Sequence, residues 1–202
     1  MPELALMLWL AFFLLVVVGR AALQYRLTGS TGLIGISAPA GSPEWFGGIL
    51  FAAAIAGGVA APILDLTDVV EAYDDLDATG VHVAGIALFA LGLIGTFASQ
   101  LAMGASWRVG VDESERTDLV TSGLFSIVRN PIYTATIAAF AGLALIVPSP
   151  VSFGSVALLV IALEMQTRLT EEPHLRSVHG EEYDGYAARV GRFVPGIGAI
   201  RR

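Results

Sequence analysis

Glu164, Arg168, Glu171 and Glu172 close a long apolar stretch, at spacings of three and four that place them on one face of a helix. In that arrangement Arg168 can pair with Glu164 and with either later acid. Ionisable groups at the edge of a bilayer are costly and face a cavity or a partner rather than lipid. There a guanidinium can orient an anionic substrate, and a desolvated carboxylate can take a proton. A second concentration of polar residues lies at 105–133. Thr121-Ser122-Gly123 reads as a turn, and Asn130-Pro131 as a helix entry with Asn130 as N-cap and Pro131 at the first helical position. The free amides of such a start suit a carboxylate. In a third segment, 180–195, Tyr183, Tyr186 and Val190 recur at three and four, which predicts a short amphipathic helix lying on the membrane or over the site. His174 and His179 read as surface residues, and no metal is expected.

The elements that must position these residues are set by composition. The chain has 202 residues, 55% apolar and 14% charged, with a mean hydropathy of +0.72, which excludes a soluble domain. It has no cysteine, so disulfides and thiolate chemistry are excluded. A net charge of −7, with every basic residue an arginine, argues against a nucleic-acid partner. Five apolar stretches read as transmembrane helices: 4–23, 45–64, 80–107, 132–147 and 151–163, the last two forming a tight hairpin about Pro148-Ser149-Pro150. The expected fold class is therefore all-α and polytopic; runs this long exclude the alternation of a β-barrel. The first span carries Glu3 and no basic residue before it, so it reads as retained rather than as a signal peptide.

With five spans, all eleven arginines fall on one side. That side reads as cytoplasmic, with the N-terminus outside and the protein in the plasma (cytoplasmic) membrane. Six acids and no base lie within 65–77, a solvated outer connection rather than a calcium loop. Residues 28–44, rich in glycine, serine and proline, read as a loop or lid, and Ala53, Gly57 and Ala61 as a small-residue packing stripe. Two units are expected: 1–104, three helices with the acidic loop 65–79, and 105–202, the core that carries the chemistry.

Residues 105–197 resemble the isoprenylcysteine carboxyl methyltransferase family and its phospholipid methyltransferase relatives. The resemblance is carried by 119–125, Arg129-Asn130-Pro131-Ile132-Tyr133, the apolar hairpin, Glu171-Glu172, Leu175, Gly180, Tyr183, Tyr186, Arg189-Val190 and Pro195. It implies an integral membrane enzyme that takes S-adenosylmethionine from the cytosol and methylates a lipophilic acceptor from the bilayer, either isoprenylcysteine carboxylate-like or a lipid. It further implies a cofactor pocket of Thr117, Asp118, Leu119, Val120, Phe125, Asn130, Pro131, Ile132, Tyr133 and Glu171, formed by the cytoplasmic loop and the C-terminal amphipathic helix, with Arg168 and Glu172 as catalytic residues toward the acceptor. The family usually has histidine at the position of Asn130, which can donate a hydrogen bond but cannot become cationic. Phe125 stands for a frequent tyrosine, and Thr167 for an arginine common among the carboxyl methyltransferases.

The residues are compatible with that chemistry. Acids at the membrane face suit a sulfonium and an ammonium, and the amides at Pro131 suit a carboxylate. A carboxylate acceptor asks for an arginine, whereas an amine or thiol asks for a base, Glu171 or Glu172. No Gly-x-Gly-x-x-Gly follows a strand, so the donor is not held on a Rossmann sheet. The alternatives are a sterol-reductase-like membrane oxidoreductase using NADPH, against which the acids at 112–118 count, and a non-catalytic membrane scaffold of the same fold.

Overall fold

The computed structural model describes residues 1–33, 35, 38–109 and 118–200. Among these residues the fold is helical, with only isolated β-bridges. Helix α1 (Pro2–Phe12) passes through a π-turn, Phe13–Gly19, into α2 (Arg20–Thr28). Helices α3 (Pro43–Leu66), α4 (Thr79–Ala102), α5 (Pro131–Ile146) and α6 (Pro150–Met165) follow. A second π-turn, Gln166–Glu171, leads into α7 (Glu172–His179), and α8 (Glu181–Arg189) completes the set. Four helical stretches are long and apolar enough to cross a bilayer: Pro2–Thr28, Pro43–Leu66, Thr79–Ala102 and Pro150–His179. The remaining apolar helix, α5, has 16 residues. The polytopic all-α fold thus stands; four helical stretches are full-length candidate spans, and the short stretch read as a fifth, 132–147, is the 16-residue helix α5.

Local sequence explains where the helices stop. Gly104, at φ 54°, ends the third span near Ala102 rather than at Trp107, because a left-handed residue breaks the α-helical ladder. Ser149 and Ser152 cap α6 reciprocally, each side chain bonding the other's backbone N–H at 3.2 and 3.0 Å. The turn between α5 and α6 is tight, yet the two arms do not pack chiefly on each other: α5 lies against α4, and α6 against α3.

The reason lies in the glycines. A Cβ on Gly92 would fall 2.3 Å from the Ala139 nitrogen, and one on Gly142 would fall 2.5 Å from the Phe89 nitrogen, so the backbones of α4 and α5 touch. Close approach of this kind replaces the hydrophobic driving force that lipid removes. In α3 the packing stripe is Gly47, Ala54, Gly58 and Ala61; Ala53 is exposed, so the inward face is rotated from the one read in the sequence. Phe12 fills the centre, edge-on to Phe140 at 6.0 Å and tilted to Phe89 at 6.4 Å. The acidic connection is largely exposed, and Tyr73 docks it by donating its N–H to the Pro148 carbonyl at 2.7 Å.

Gly92→Ala therefore forces two backbones apart. It is expected to cost about 2 kcal/mol of stability and to lower Tm in detergent. Gly154→Ala, where an added Cβ meets nothing within 4 Å, is the control and should keep or raise Tm.

Candidate functional site

The four residues at the end of the last long span do not share one face. Between α6 and α7 the chain adopts the π-turn Gln166–Glu171, whose i→i+5 bonding rotates the start of α7 relative to a continuous α-helix. Arg168 consequently points outward, its side chain 59% exposed, and bonds Glu164 at 2.5 Å. Glu172 points inward, its side chain only 9% exposed. The i,i+4 pairing read from the sequence is present with Glu164; the pairing of Arg168 with the later acids is not among the ion pairs formed by the described residues.

Glu172 is held by two arginines remote in sequence. Arg129 Nη2 donates to Oε1 at 2.7 Å, Arg192 Nε donates to the same oxygen at 2.8 Å, and Arg192 Nη2 donates to Oε2 at 2.9 Å. Arg192 Nη1 also lies 3.7 Å from Glu164 Oε2, so alternating charges run Arg168, Glu164, Arg192, Glu172, Arg129 from the surface inward. Hydrogen bonding to Glu172 raises the Arg192 pKa above its ordinary value, keeping the guanidinium charged.

Arg129 binds the C-terminal segment as well. It donates to the carbonyls of Ala187 at 3.0 Å, Gly198 at 3.1 Å and Val190. Backbone bonds complete the join, Arg129 N–H to the Gly191 carbonyl at 2.8 Å and Asn130 N–H to the Arg192 carbonyl at 3.1 Å. Gly191 permits it, since a Cβ there would meet the Val194 carbonyl oxygen at 2.1 Å.

Helix α5 starts at Pro131, as the sequence indicates, but Asn130 does not cap it. Its side-chain amide donates instead to the Arg192 carbonyl at 3.2 Å, so no side chain caps the first turn. In that turn the Tyr133 hydroxyl donates to Glu171 Oε1. The Arg108 guanidinium lies within electrostatic reach of the same carboxylate. Pro131 is buried, and Ile132 and Tyr133 are half-buried.

The expected amphipathic helix is α8, and it packs inward on one face. Tyr183, Tyr186 and Ala187 are buried, with Leu119, Leu175, Val190 and Ile200 packed against them. The Tyr186 hydroxyl donates to the carbonyl of the buried Phe125 at 2.6 Å. Burial pushes both tyrosine hydroxyls up to about 12, so they remain protonated donors at physiological pH.

Of the other residues implied for the pocket, Val120 is half-buried and Asp118 exposed, while Thr117 lies outside the described residues. The structure therefore brings together Asn130–Tyr133 with Glu171, and Leu119 and Phe125 with α8; Arg168 stands apart on the outer edge. Sequence reasoning did not assign Arg129 or Arg192 to the site. The available signal was their position beside Asn130-Pro131 and beside the Val190-Gly191 turn, where a chain so poor in bases has little cause to leave one in solvent.

Residues 80–182 match the phospholipid methyltransferase family. The chain belongs to that family. The matched region opens within α4 and contains the Tyr133–Glu171 pair and Glu172, while Arg192 lies beyond it. The chain is also 28% identical over 116 residues to the nickel-cobalt-cadmium resistance protein NccN of Alcaligenes xylosoxydans xylosoxydans, covering 57% of this chain and 53% of that protein. It thus spans about half the length of that curated relative. Among solved structures, it resembles the eukaryotic intramembrane Ras methyltransferase ICMT (isoprenylcysteine carboxyl methyltransferase), with a TM-score of 0.64 at 20% identity, covering 96% of this chain and 67% of that one. At that identity the likeness is one of fold, and it extends to the N-terminal helices that the family match leaves out.

Glu172→Gln removes the negative charge between the buried Arg129 and the half-buried Arg192 guanidiniums. A cost of about 3 kcal/mol is expected, since breaking one side of a buried ion pair strands the other. The measurements are a lowered Tm and faster proteolysis of residues 190–200, the segment tied down through Arg129 and Arg192.

Proposed function

We propose that this protein is an integral membrane methyltransferase that uses S-adenosylmethionine and acts on a lipophilic acceptor, isoprenylcysteine carboxylate-like or a lipid, entering from the bilayer. The observation that carries the reading is the Glu171 carboxylate, bonded by Tyr133 beside the uncapped first turn of α5. This donor set fits a ligand bearing both a cation and a carboxylate: Glu171 complements a sulfonium or ammonium, and the N-terminal amides complement the carboxylate. Thr117 to Val120, Phe125, Asn130 to Tyr133 and Glu171 would hold it. When bound, the donor supplies an electrophilic methyl group.

The protein's own work is alignment and exclusion of water. Helix α8 with Phe125 and Leu119 closes the apolar side, and Glu172 holds Arg192 and Arg129 so that the C-terminal segment stays over the pocket. Because Glu172 already accepts from two guanidiniums, it is a poor base, and its part is to hold Arg129 and Arg192 in place. Arg168, on the outer edge with Glu164, meets the acceptor arriving from lipid. The arginine distribution supports a cytoplasmic pocket with the N-terminus outside.

The test is binding of S-adenosylhomocysteine to the purified protein by calorimetry. Wild type is expected to bind and to gain Tm on binding. Glu171→Gln should weaken affinity about tenfold, the effect of losing a charge-assisted contact. Arg168→Ala should leave donor affinity intact and lower turnover. Absence of binding by wild type refutes the proposal, and loss of binding in Arg168→Ala moves that residue into the donor pocket.

A further inference from the structure

Beyond α8 the C-terminal segment forms an exposed apolar turn that takes no part in the site. The chain runs back along the entry to α5, with Val128 bridged to Gly191, and then folds on itself. The Ile197 N–H donates to the Val194 carbonyl at 3.0 Å, and Gly196 stands at φ 74° after Pro195, so proline and glycine occupy their preferred places in a type II turn. The Arg192 N–H donates to the Ile197 carbonyl at 2.8 Å and closes the loop behind the turn. Held this way, Val194 is 49% exposed and Ile197 67%, with Pro195 exposed between them. Helix α8 does not cover them, because its apolar face is taken up by Tyr183, Tyr186 and Ala187 packing inward. Three apolar residues presented together on one tip call for an apolar neighbour.

The turn lies at the depth where hydrocarbon begins. Thr134 Oγ1 donates to the Phe193 carbonyl at 2.9 Å. Gly95 lies against Ala135 and Thr96 against Thr136, so Thr134 is level with Phe97 and Ala98 of α4. Helix α4 contains no Asp, Glu, Lys or Arg and runs on to Ala102, about 6 Å further, with Leu101 exposed. The Phe193 carbonyl therefore stands within the last turns of an apolar span. The backbone there is suited to such a place: the carbonyls of Phe193, Val194 and Ile197 accept bonds from Thr134, Ile197 and Arg192, and Pro195 has no N–H to satisfy.

Charge selects the kind of lipid. Residues 185–202 contain four arginines and no acid, in a chain whose net charge is −7. Arg192 is committed to Glu172, whereas Arg189 is exposed and makes no ion pair among the described residues. A basic stretch around an apolar tip matches a leaflet with anionic headgroups. We propose that the turn at 194–197 is an interfacial anchor, its tip inserted at the boundary of headgroups and acyl chains in a bilayer containing anionic lipid. It stands whether or not the methyl-donor reading does. Because Arg192 leaves the same loop for Glu172, the bilayer and the buried carboxylate hold this segment from opposite sides.

The chain has no cysteine, so a single one can be introduced and labelled in the full-length protein. Val194→Cys and Ile197→Cys, with Glu182→Cys in α8 as the solvent reference, each replace an exposed side chain and should fold. Each carries an environment-sensitive fluorophore in nanodiscs of phosphatidylcholine, with and without phosphatidylglycerol. A nitroxide on the acyl chain near the headgroup is expected to quench the labels at 194 and 197 about fivefold more than the label at 182, with iodide giving the reverse order. Omitting phosphatidylglycerol should reduce the lipid quenching at 194 and 197 about twofold. Iodide reaching those labels as readily as it reaches 182 would put the turn in water and overturn the proposal. It is equally overturned if neither quencher reaches them, which would mean that protein covers the turn, or if the quenching is the same without phosphatidylglycerol, which would leave the arginines no part in it.

Discussion

The arrangement depends on one buried carboxylate shared by two guanidiniums. Glu172 between Arg129 and Arg192 joins three parts of the chain that local sequence would keep separate: the entry to α5, the start of α7 and the segment after α8. Two positive charges cannot be brought together in an apolar setting without the negative one, and the negative one is stable there only because several of its lone pairs are filled. The backbone bonds of Arg129 and Asn130 to Gly191 and Arg192 run alongside. Glu171, one residue earlier, then has its direction decided by the position of its neighbour.

The membrane imposes a complementary rule on the helices. Apolar side chains gain little from meeting one another instead of lipid, so specificity has to come from close backbone contact. Gly85, Gly92 and Gly142 provide it between α4 and α5, where added Cβ atoms would collide with backbone rather than with movable side chains. Helix α5 is therefore fixed along its length by α4 and at its start by the Glu172 cluster.

Much of this was legible in the residues. The apolar runs located the helices, Pro131 the start of α5, Pro148-Ser149-Pro150 the turn before α6, and the Tyr183–Tyr186 spacing the face of α8 that packs. The Arg168–Glu164 pair was legible too, because it is local. The illegible parts came from departures from α-helical geometry and from distance in sequence. A period of 3.6 residues assumes an α-helix throughout, so the π-turn at Gln166–Glu171 separated four residues that the arithmetic had placed together. Arg192 lies twenty positions beyond Glu172, and no periodicity connects them. Asn130 shows a local rule overruled by a long-range one: it occupies the N-cap position but gives its amide to the Arg192 carbonyl.

The shortness of α5 has a consequence of its own. It has 16 residues and its partner α4 has 24, a difference of eight, or about 12 Å of helical rise. The pairing of Gly85 with Gly142, Gly92 with Ala139 and Thr96 with Thr136 brings the start of α5 level with the end of α4, so the extra length of α4 overhangs the opposite end, beyond Ile146. The acidic connection is tied down at that end by the Tyr73–Pro148 bond. The shortfall of α5 is thus met by a loop, on the side of the bundle away from Tyr133 and Glu171.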